Sequence, residues 1–219
     1  MEGLRAPTFP EGRFWVRAVM AMTLDGAVRG ADGGSRSISS PADQRWFSAL
    51  RSDADAVLVG AGTIRAEDYR PSRKVLAIVT ESLHLPPTLR MFSERGPEHA
   101  RPLVLTTASA ATDAPAHLQQ ASDVIACGDS HVDLAACLEE LRDRGLLRVQ
   151  CEGGPHLLSG LMAAGLLDQL LLSITPMLVG GGGSDHVVTV PGGLGDPRQF
   201  RLADLQHDEG TAFLDLVRA

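Results

Sequence analysis

The feature that most constrains the fold of this chain is a series of short, almost wholly apolar runs separated by segments with helical spacing. The runs are DAVLVG (55–60), KVLAIVT (74–80), PLVLTT (102–107) and DVIACG (123–128). Strands of this kind lie inside parallel sheets, where helices cover both of their faces. The clearest helical pattern spans 130–145, with an apolar stripe at helical spacing. This alternation predicts an α/β fold with a central, mostly parallel sheet and flanking helices.

The two ends of the chain add strands of other kinds. An apolar strand is expected over 14–26, ending at Asp25-Gly26, and a long strand over 167–180. Near the C-terminus, FRLADLQ and TAFLDLV flank HDEG, a pattern that predicts an antiparallel hairpin at the edge of the sheet. Residues 1–13 are interpreted as a flexible leader, and 14–219 as a single domain without a linker or an internal repeat.

The connections between these strands carry helix and loop signals. Ser40 is expected as the N-cap of a helix whose first residue is Pro41. A second helix is expected directly after Gly60, and a third, short one near 112–121. Glycine-rich or proline-rich loops are expected at three places, which are 28–40, 84–100 and 181–185.

The segment CEGGPHLLSG (151–160) combines a strand end, a tight turn and a helix start. Pro155 suits a first helical position, and Gly153 and Gly154 permit a sharp turn with no side chain between backbone and ligand. The N–H groups that open such a helix carry partial positive charge and suit a phosphate. A plain strand-to-helix connection explains the local pattern equally well, since neither GxGxxG nor a P-loop is present.

Small or polar residues follow four of the predicted strands. They are TLDG (23–26), GAGT (60–63), TT (106–107) and EGGP (152–155). In open α/β sheets, ligands bind beyond the carboxyl ends of the strands. Each stretch alone is a weak signal, but their recurrence favours a phosphate-bearing, nucleotide-type ligand lying across this edge.

Composition excludes several other classes of function. The net charge of −7 disfavours nucleic-acid binding. No apolar run reaches the length of a membrane span, and the N-terminus lacks the apolar core of a signal peptide. The three cysteines lie in apolar contexts without metal-site spacing. We therefore expect no metal, no membrane or nucleic-acid partner, and a reducing, cytoplasmic location.

Three blocks of the sequence together resemble a known family. They are MTLDG, GGSRSISSPADQRWFSALRSDADAVLVGAGTIRAED and CEGGPHLLSGLMAAGLLDQLLLSITPMLVGGG. In order and spacing they are similar to the reductase domain of the riboflavin-pathway deaminase/reductase, and the likeness runs from about residue 15 to the C-terminus. The resemblance implies a fold like that of dihydrofolate reductase, a homodimer, and NADPH-dependent reduction of a phosphorylated pyrimidine ribosylamine.

The resemblance also assigns roles to individual residues. Ser35, Arg51 and Glu152 would face the substrate. Residue chemistry adds two candidate catalytic residues: Glu152 can accept hydrogen bonds from the sugar, and Asp25 can polarise the imine or orient a proton-donating water. Without the resemblance, Arg51 fits a helix end and Asp25-Gly26 an ordinary turn. Arg36, Arg65 and Arg73 are alternative partners for a 2′-phosphate. The residues that would hold NADPH are Ala21, Gly60, Thr63, Glu67, Thr106, Thr107, Gly153, Gly154, Pro155, His156, Leu157 and Gly160.

Four positions depart from the family pattern and leave the substrate open. Ala27 stands where a lysine commonly reaches the substrate, and Ser37 where an aromatic residue is frequent. Glu67 replaces the usual aspartate, and Tyr69 the usual proline. Two alternatives therefore remain beside the pyrimidine reductase: a reductase of the same fold that acts on a pterin such as dihydrofolate, and a non-catalytic NADP-binding protein.

Overall fold

A single nine-stranded sheet organises the computed structural model, which describes residues 3–180 and 186–219. The strands are β1 (Trp15–Thr23), β2 (Ala56–Gly60), β3 (Val75–Val79), β4 (Leu103–Thr106), β5 (Asp123–Ala126), β6 (Arg148–Cys151), β7 (Gln169–Thr175), β8 (Phe200–Asp208) and β9 (Thr211–Arg218). The helices are α1 (Pro41–Asp53), α2 (Ala61–Glu67), α3 (Arg90–Ser93), α4 (Ala108–Thr112), α5 (Ala116–Ala121), α6 (Leu134–Asp143) and α7 (Pro155–Ala163).

The order of strands across the sheet is β5-β4-β3-β2-β6-β1-β7-β9-β8. The first seven strands in this order run parallel, β9 is antiparallel to β7, and β8 is antiparallel to β9. The predicted α/β class, the mostly parallel sheet and the C-terminal hairpin are confirmed. The carboxyl ends of β2, β6 and β1 therefore meet at one edge of the sheet.

Helices cover both faces of the sheet, because successive side chains of each strand point to opposite sides. Leu58 of β2 packs in one cluster with Leu141 of α6 and Leu158 of α7. On the other face, Val57 packs in a cluster with Ile64 of α2. A third cluster joins α1 to β1, β7 and β9, and in it the rings of Trp46 and Phe213 meet edge to face, 5.0 Å apart. This two-sided burial explains why the central strands are apolar throughout.

Several boundaries differ from those expected from sequence. The predicted loop 84–100 contains the short helix α3. The helix predicted near 112–121 corresponds to α5, and a further short helix, α4, lies just before it. They are separate because Pro115 has no N–H to continue the first helix. Strand β7 ends at Thr175, directly before Pro176. Ser40 caps α1 as predicted, since its side chain accepts the N–H of Asp43.

The segment ahead of β1, expected as a flexible leader, has no regular secondary structure but packs on the domain. Phe9 is buried, and the guanidinium of Arg17 lies 3.8 Å from the centroid of its ring. Arg17 also donates to the carbonyl of Pro7 at 2.9 Å. The glycine-rich loop predicted at 181–185 lies outside the described residues. In the part of the chain that is described, none of the helices has the length and apolarity to cross a membrane.

Candidate active site

A cavity of about 810 Å³ opens at the carboxyl edge of the sheet. Residues of β1, the loop after β1, α1, α2 and the start of α7 line it. Eight of the predicted site residues lie in its wall, namely Ala21, Ser35, Arg51, Thr63, Glu67, Glu152, Gly154 and Pro155. Five arginines also line it, namely Arg29, Arg36, Arg51, Arg70 and Arg90. Four carboxylates line it as well, namely Asp43, Glu67, Asp68 and Glu152. The wall therefore offers guanidinium donors for a phosphate and carboxylate acceptors for the N–H and O–H groups of a ligand.

The carboxylate of Glu152 is the most heavily hydrogen-bonded group in the cavity. Its side chain is only 1% exposed. One oxygen accepts Arg51 Nε at 2.7 Å and Gln150 Nε2 at 2.9 Å. The other accepts Arg51 Nη2 and, at 2.9 Å, the hydroxyl of Tyr69. A buried carboxylate is costly unless it is paired and hydrogen-bonded, and here both conditions hold. Glu152 thus anchors Arg51 and Tyr69 in the cavity wall.

Arg51 is held in one orientation by this pair and by two aromatic rings. Its guanidinium carbon lies 5.0 Å from the centroid of Phe47 and 5.1 Å from that of Tyr69. Burial alone would lower the pKa of Arg51, but the hydrogen bonds and charge of Glu152 outweigh it and raise this pKa. A guanidinium has five N–H donors, so the edge opposite Glu152 keeps donors for a ligand.

Two of these partners carried only a weak signal in the sequence. Tyr69 was noted as a departure from the family pattern and not as a site residue, and it lies just beyond the end of α2. Burial raises its pKa well above the ordinary value for tyrosine, so it donates to Glu152 as a neutral phenol. Phe47, an apolar residue of α1, also lines the cavity. Its spacing of four residues from Arg51 is the signal that places both on one helix face.

The glycines at the ends of β2 and β6 bring two helix starts together. Gly60 is the N-cap of α2 and Gly154 that of α7, and neither helix has a side-chain cap. Gly60 N donates to Gly153 O at 2.9 Å, and the Gly153-Gly154 peptide is cis. A Cβ on Gly154 would lie 2.8 Å from Thr63 Oγ1. The starts of α2 and α7 therefore lie side by side, and the N–H groups of helix starts suit phosphate.

Four other residues predicted to hold the cofactor, Glu67, His156, Leu157 and Gly160, lie at the cavity wall, on the surface or in the interior. Glu67 accepts both the N–H of Ser35 at 3.2 Å and its hydroxyl at 2.8 Å. His156 is exposed and Leu157 is buried in the core. Gly160 faces α6, because a Cβ there would lie 2.7 Å from Leu134 Cδ1.

Thr106 and Thr107 lie at the end of β4, away from the cavity wall. Thr107 caps α4 by accepting the N–H of Ala110. The hydroxyl of Thr106 is buried and has no hydrogen-bond partner among the described residues. A buried hydroxyl without a partner is uncommon, so this oxygen is a free donor and acceptor at the same edge of the sheet.

Asp25 lies outside the cavity wall, in an exposed turn. Its carboxylate accepts the Thr23 hydroxyl and the N–H groups of Val179 and Gly180, the last at 2.8 Å. The Thr23 hydrogen bond, followed by that from Gly180, lowers the pKa of Asp25 to about 2. The carboxylate therefore ties the turn after β1 to the segment after β7.

The three arginines considered for a 2′-phosphate are also separated by the structure. Arg36 lines the cavity, whereas Arg65 and Arg73 are exposed outside its wall. Arg65 donates to the carbonyl of His84 at 3.0 Å. Within residues 3–180 and 186–219, no group of three His, Cys, Asp or Glu side chains is placed to hold a metal ion. All three cysteines are buried as free thiols.

Comparison with known proteins adds family information to this geometry. A reductase of Methanothermobacter thermautotrophicus, named 2,5-diamino-6-ribosylamino-4(3H)-pyrimidinone 5′-phosphate reductase, is 33% identical over 171 residues, 74% of this chain and 77% of that protein. The protein of the same name from Archaeoglobus fulgidus is 28% identical over 192 residues, 80% of this chain and 86% of the relative.

Solved structures agree in fold. A pyrimidine reductase-like protein of Corynebacterium diphtheriae superimposes with a TM-score of 0.81 at 24% identity, covering 94% of this chain and 92% of that one. Dihydrofolate reductase from Enterococcus faecalis gives a TM-score of 0.51 at 12% identity, covering 94% and 97%, a likeness of fold alone. The RibD C-terminal domain family matches residues 14–212. The predicted resemblance is confirmed: the chain belongs to the RibD C-terminal domain family.

Proposed function

We propose that this protein is an NADPH-dependent reductase of a ribosylaminopyrimidine 5′-phosphate. The observation that carries the proposal is the arginine-lined cavity in which Glu152 locks Arg51 beside two uncapped helix starts. The names of the archaeal relatives support this substrate class. The reaction class, a reduction, follows from the same names, because both relatives are named as reductases.

The residues present fit a nicotinamide dinucleotide in two respects. The starts of α2 and α7 can approach closely because Gly154 lacks a side chain, since a Cβ there would lie 2.8 Å from Thr63 Oγ1. The unpartnered hydroxyl of Thr106 offers a hydrogen bond farther along the same edge, where the adenosine half would lie. We assign the pyrophosphate to the two helix starts and the nicotinamide to the wall formed by Ala21. When bound, NADPH would supply a hydride to the substrate.

The remaining roles follow from the contacts of this chain's own residues. Arg51 binds the substrate phosphate through the edge that Glu152 leaves free, and a charge-assisted fork of this kind also fixes orientation. Glu152 acts by holding Arg51, because each of its oxygens already accepts two hydrogen bonds. Ser35, whose hydroxyl donates to Glu67, forms another part of the cavity wall. Asp25 positions the neighbouring loops.

We also propose that two chains associate and that the protein works in the cytoplasm. Leu202 and Leu205 on the edge strand β8 are 50% and 58% exposed, and an exposed apolar edge strand favours pairing with another chain. Free buried thiols fit a reducing compartment. Light scattering during gel filtration gives the mass in solution, and a mass of one chain at micromolar concentration contradicts the dimer.

Steady-state oxidation of NADPH tests the reaction. The protein is assayed with the ribosylaminopyrimidine phosphates, with dihydrofolate and with NADH in place of NADPH. We expect turnover with a pyrimidine substrate and a preference for NADPH. Turnover with dihydrofolate alone supports the pterin alternative, and tight binding of NADPH without turnover of any substrate supports the non-catalytic one.

A further inference from the structure

Helix α1 presents three different chemical groups to the cavity along one face. Asp43, Phe47 and Arg51 all line it and are spaced four residues apart. At 1.5 Å per residue, the two ends of this stripe are about 12 Å apart along the helix axis. A carboxylate, an aromatic ring and a guanidinium therefore follow one another, which matches a ligand with a hydrogen-bond-donating ring at one end and a phosphate at the other.

Asp43 is the buried acid that the mechanism above does not use. The residue is only 5% exposed, yet it forms part of the cavity wall. One carboxylate oxygen accepts the hydroxyl of Ser173 on β7, and the other accepts the hydroxyl of Ser39. Among the described residues, the side chains that donate hydrogen bonds to the Asp43 carboxylate are both hydroxyl groups. Each carboxylate oxygen has about two acceptor positions, so one on each oxygen remains for a ligand.

The position of Asp43 next to β1 places it at the ring end of the stripe. The hydroxyl oxygen of Ser173, whose single hydrogen is donated to Asp43, also lies 3.4 Å from the carbonyl oxygen of Met20. Met20 is followed by Ala21, where the nicotinamide is assigned. Arg51, at the far end, is assigned to the phosphate. With the nicotinamide and the phosphate assigned in this way, the pyrimidine ring of the substrate would lie against Asp43, near the start of α1.

We propose that Asp43 is a specificity-determining residue that selects a 2-aminopyrimidinone ring over the corresponding 2-oxo ring. This inference rests on the proposed function and names the substrate within it. A 2-aminopyrimidinone presents a ring N–H beside an amino group, and a carboxylate accepts such a pair as two parallel hydrogen bonds. A 2-oxo ring turns a carbonyl oxygen toward the carboxylate, so one buried acceptor faces another. Sites built around a buried hydrogen bond reject the analogue that lacks it.

The test measures binding and turnover separately, with two substrates and two variants. The substrates are 2,5-diamino-6-ribosylamino-4(3H)-pyrimidinone 5′-phosphate and its 2-oxo analogue, 5-amino-6-ribosylaminouracil 5′-phosphate. Equilibrium binding to protein saturated with NADP⁺ reports on Asp43, and NADPH oxidation reports on the reaction. Asp43→Asn keeps the shape of the side chain but replaces one acceptor with a donor. Asp143→Asn, an exposed aspartate on α6, is the matched control.

For the wild-type protein we expect the 2-amino substrate to bind about 100-fold more tightly than the 2-oxo analogue, the ratio expected for one hydrogen bond to a charged group. Asp43→Asn should lose most of this preference, through weaker binding of the 2-amino substrate and equal or tighter binding of the 2-oxo one. Asp143→Asn should behave as wild type. Equal binding of both substrates to the wild-type protein overturns the inference, as does an equal loss for both in Asp43→Asn, which indicates a structural role. If the protein binds the 2-amino substrate more tightly than the 2-oxo analogue but turns over neither, the role of Asp43 is upheld and the proposed reductase activity is refuted.

Discussion

Replacement of Glu152 by glutamine is the most direct perturbation of the proposed anchor. The amide nitrogen must take the place of one carboxylate oxygen, and each oxygen accepts two donors. Whichever oxygen the glutamine NH₂ group replaces, the two hydrogen bonds to that oxygen are lost, and their two donors then face the NH₂ group, which is itself a donor. The positive charge of Arg51 also loses its partner.

The size of the effect follows from burial. Removal of one partner from a fully buried ion pair costs about 3–5 kcal/mol. Because the side chain of Arg51 is 36% exposed, water replaces part of the lost interaction. We therefore expect the free energy of unfolding to fall by about 3 kcal/mol after this discount. For a chain of this length, that change lowers Tm by about 6–12 °C.

Two measurements separate anchoring from other roles. Thermal and urea unfolding give the stability, with Glu139→Gln, an exposed glutamate on α6, as the control expected within about 0.5 kcal/mol of wild type. Titration with NADP⁺ and steady-state kinetics give the function. Folded Glu152→Gln should bind NADP⁺ within about twofold of wild type, while KM for the phosphorylated substrate rises about tenfold, as expected for 1–2 kcal/mol of lost binding.

A milder variant keeps the test informative if Glu152→Gln folds poorly. Tyr69→Phe removes only the hydroxyl that donates to Glu152 and leaves the ring beside Arg51. It should cost about 1 kcal/mol and raise KM by less than Glu152→Gln does. Unchanged stability in Glu152→Gln, or loss of NADP⁺ binding while the protein remains folded, refutes the assignment of Glu152 as the anchor of Arg51.

Three further outcomes follow from individual contacts. Thr106→Val removes the unpartnered buried hydroxyl and should raise the stability of the ligand-free protein by about 0–1 kcal/mol in urea unfolding, while affinity for NADP⁺ falls if that hydroxyl binds the cofactor. The pKa of Asp25 falls from 3.8 to about 2 on folding, so this carboxylate contributes stability above pH 3.8 that is lost as the pH falls toward 2. The free energy of unfolding of Asp25→Asn should therefore change less between about pH 4 and pH 2 than that of the wild-type protein. Burial raises the pKa of Cys151 to about 12, and all three cysteines are buried, so a thiol reagent at pH 8 should label the unfolded chain three times and the native chain much more slowly.

Local signals in the sequence predicted the parts of the fold that depend on neighbouring residues. The apolar runs identified the central strands, Ser40-Pro41 identified the start of α1, and the glycines of 151–160 identified the turn between β6 and α7. Where local signals conflict, the prediction was less accurate. The Thr107 cap of α4 and the break at Pro115 were missed within one stretch that has helical character throughout.

The candidate site was only partly accessible by the same reasoning. Resemblance to the family named Arg51 and Glu152, and eight of the named residues do line the cavity. Neither residue type nor spacing indicated that Glu152 accepts hydrogen bonds from Arg51 of α1 and from Tyr69 beyond α2. Asp43 follows Ser40 at the spacing of a helix cap, and nothing local distinguishes it from an acid that only stabilises the helix start.

By itself, the sequence determined the class of fold and the course of the main strands and helices, and it predicted the edge of the sheet at which the cavity opens. These properties depend on periodicity and on turn residues, which act over a few positions. The tertiary structure alone decided that β6 lies between β2 and β1, which brings Glu152 to Arg51, 101 positions away, and to Tyr69, 83 positions away. Such pairings are set by strand order across the sheet, and strand order depends on the packing of the whole chain rather than on any one segment.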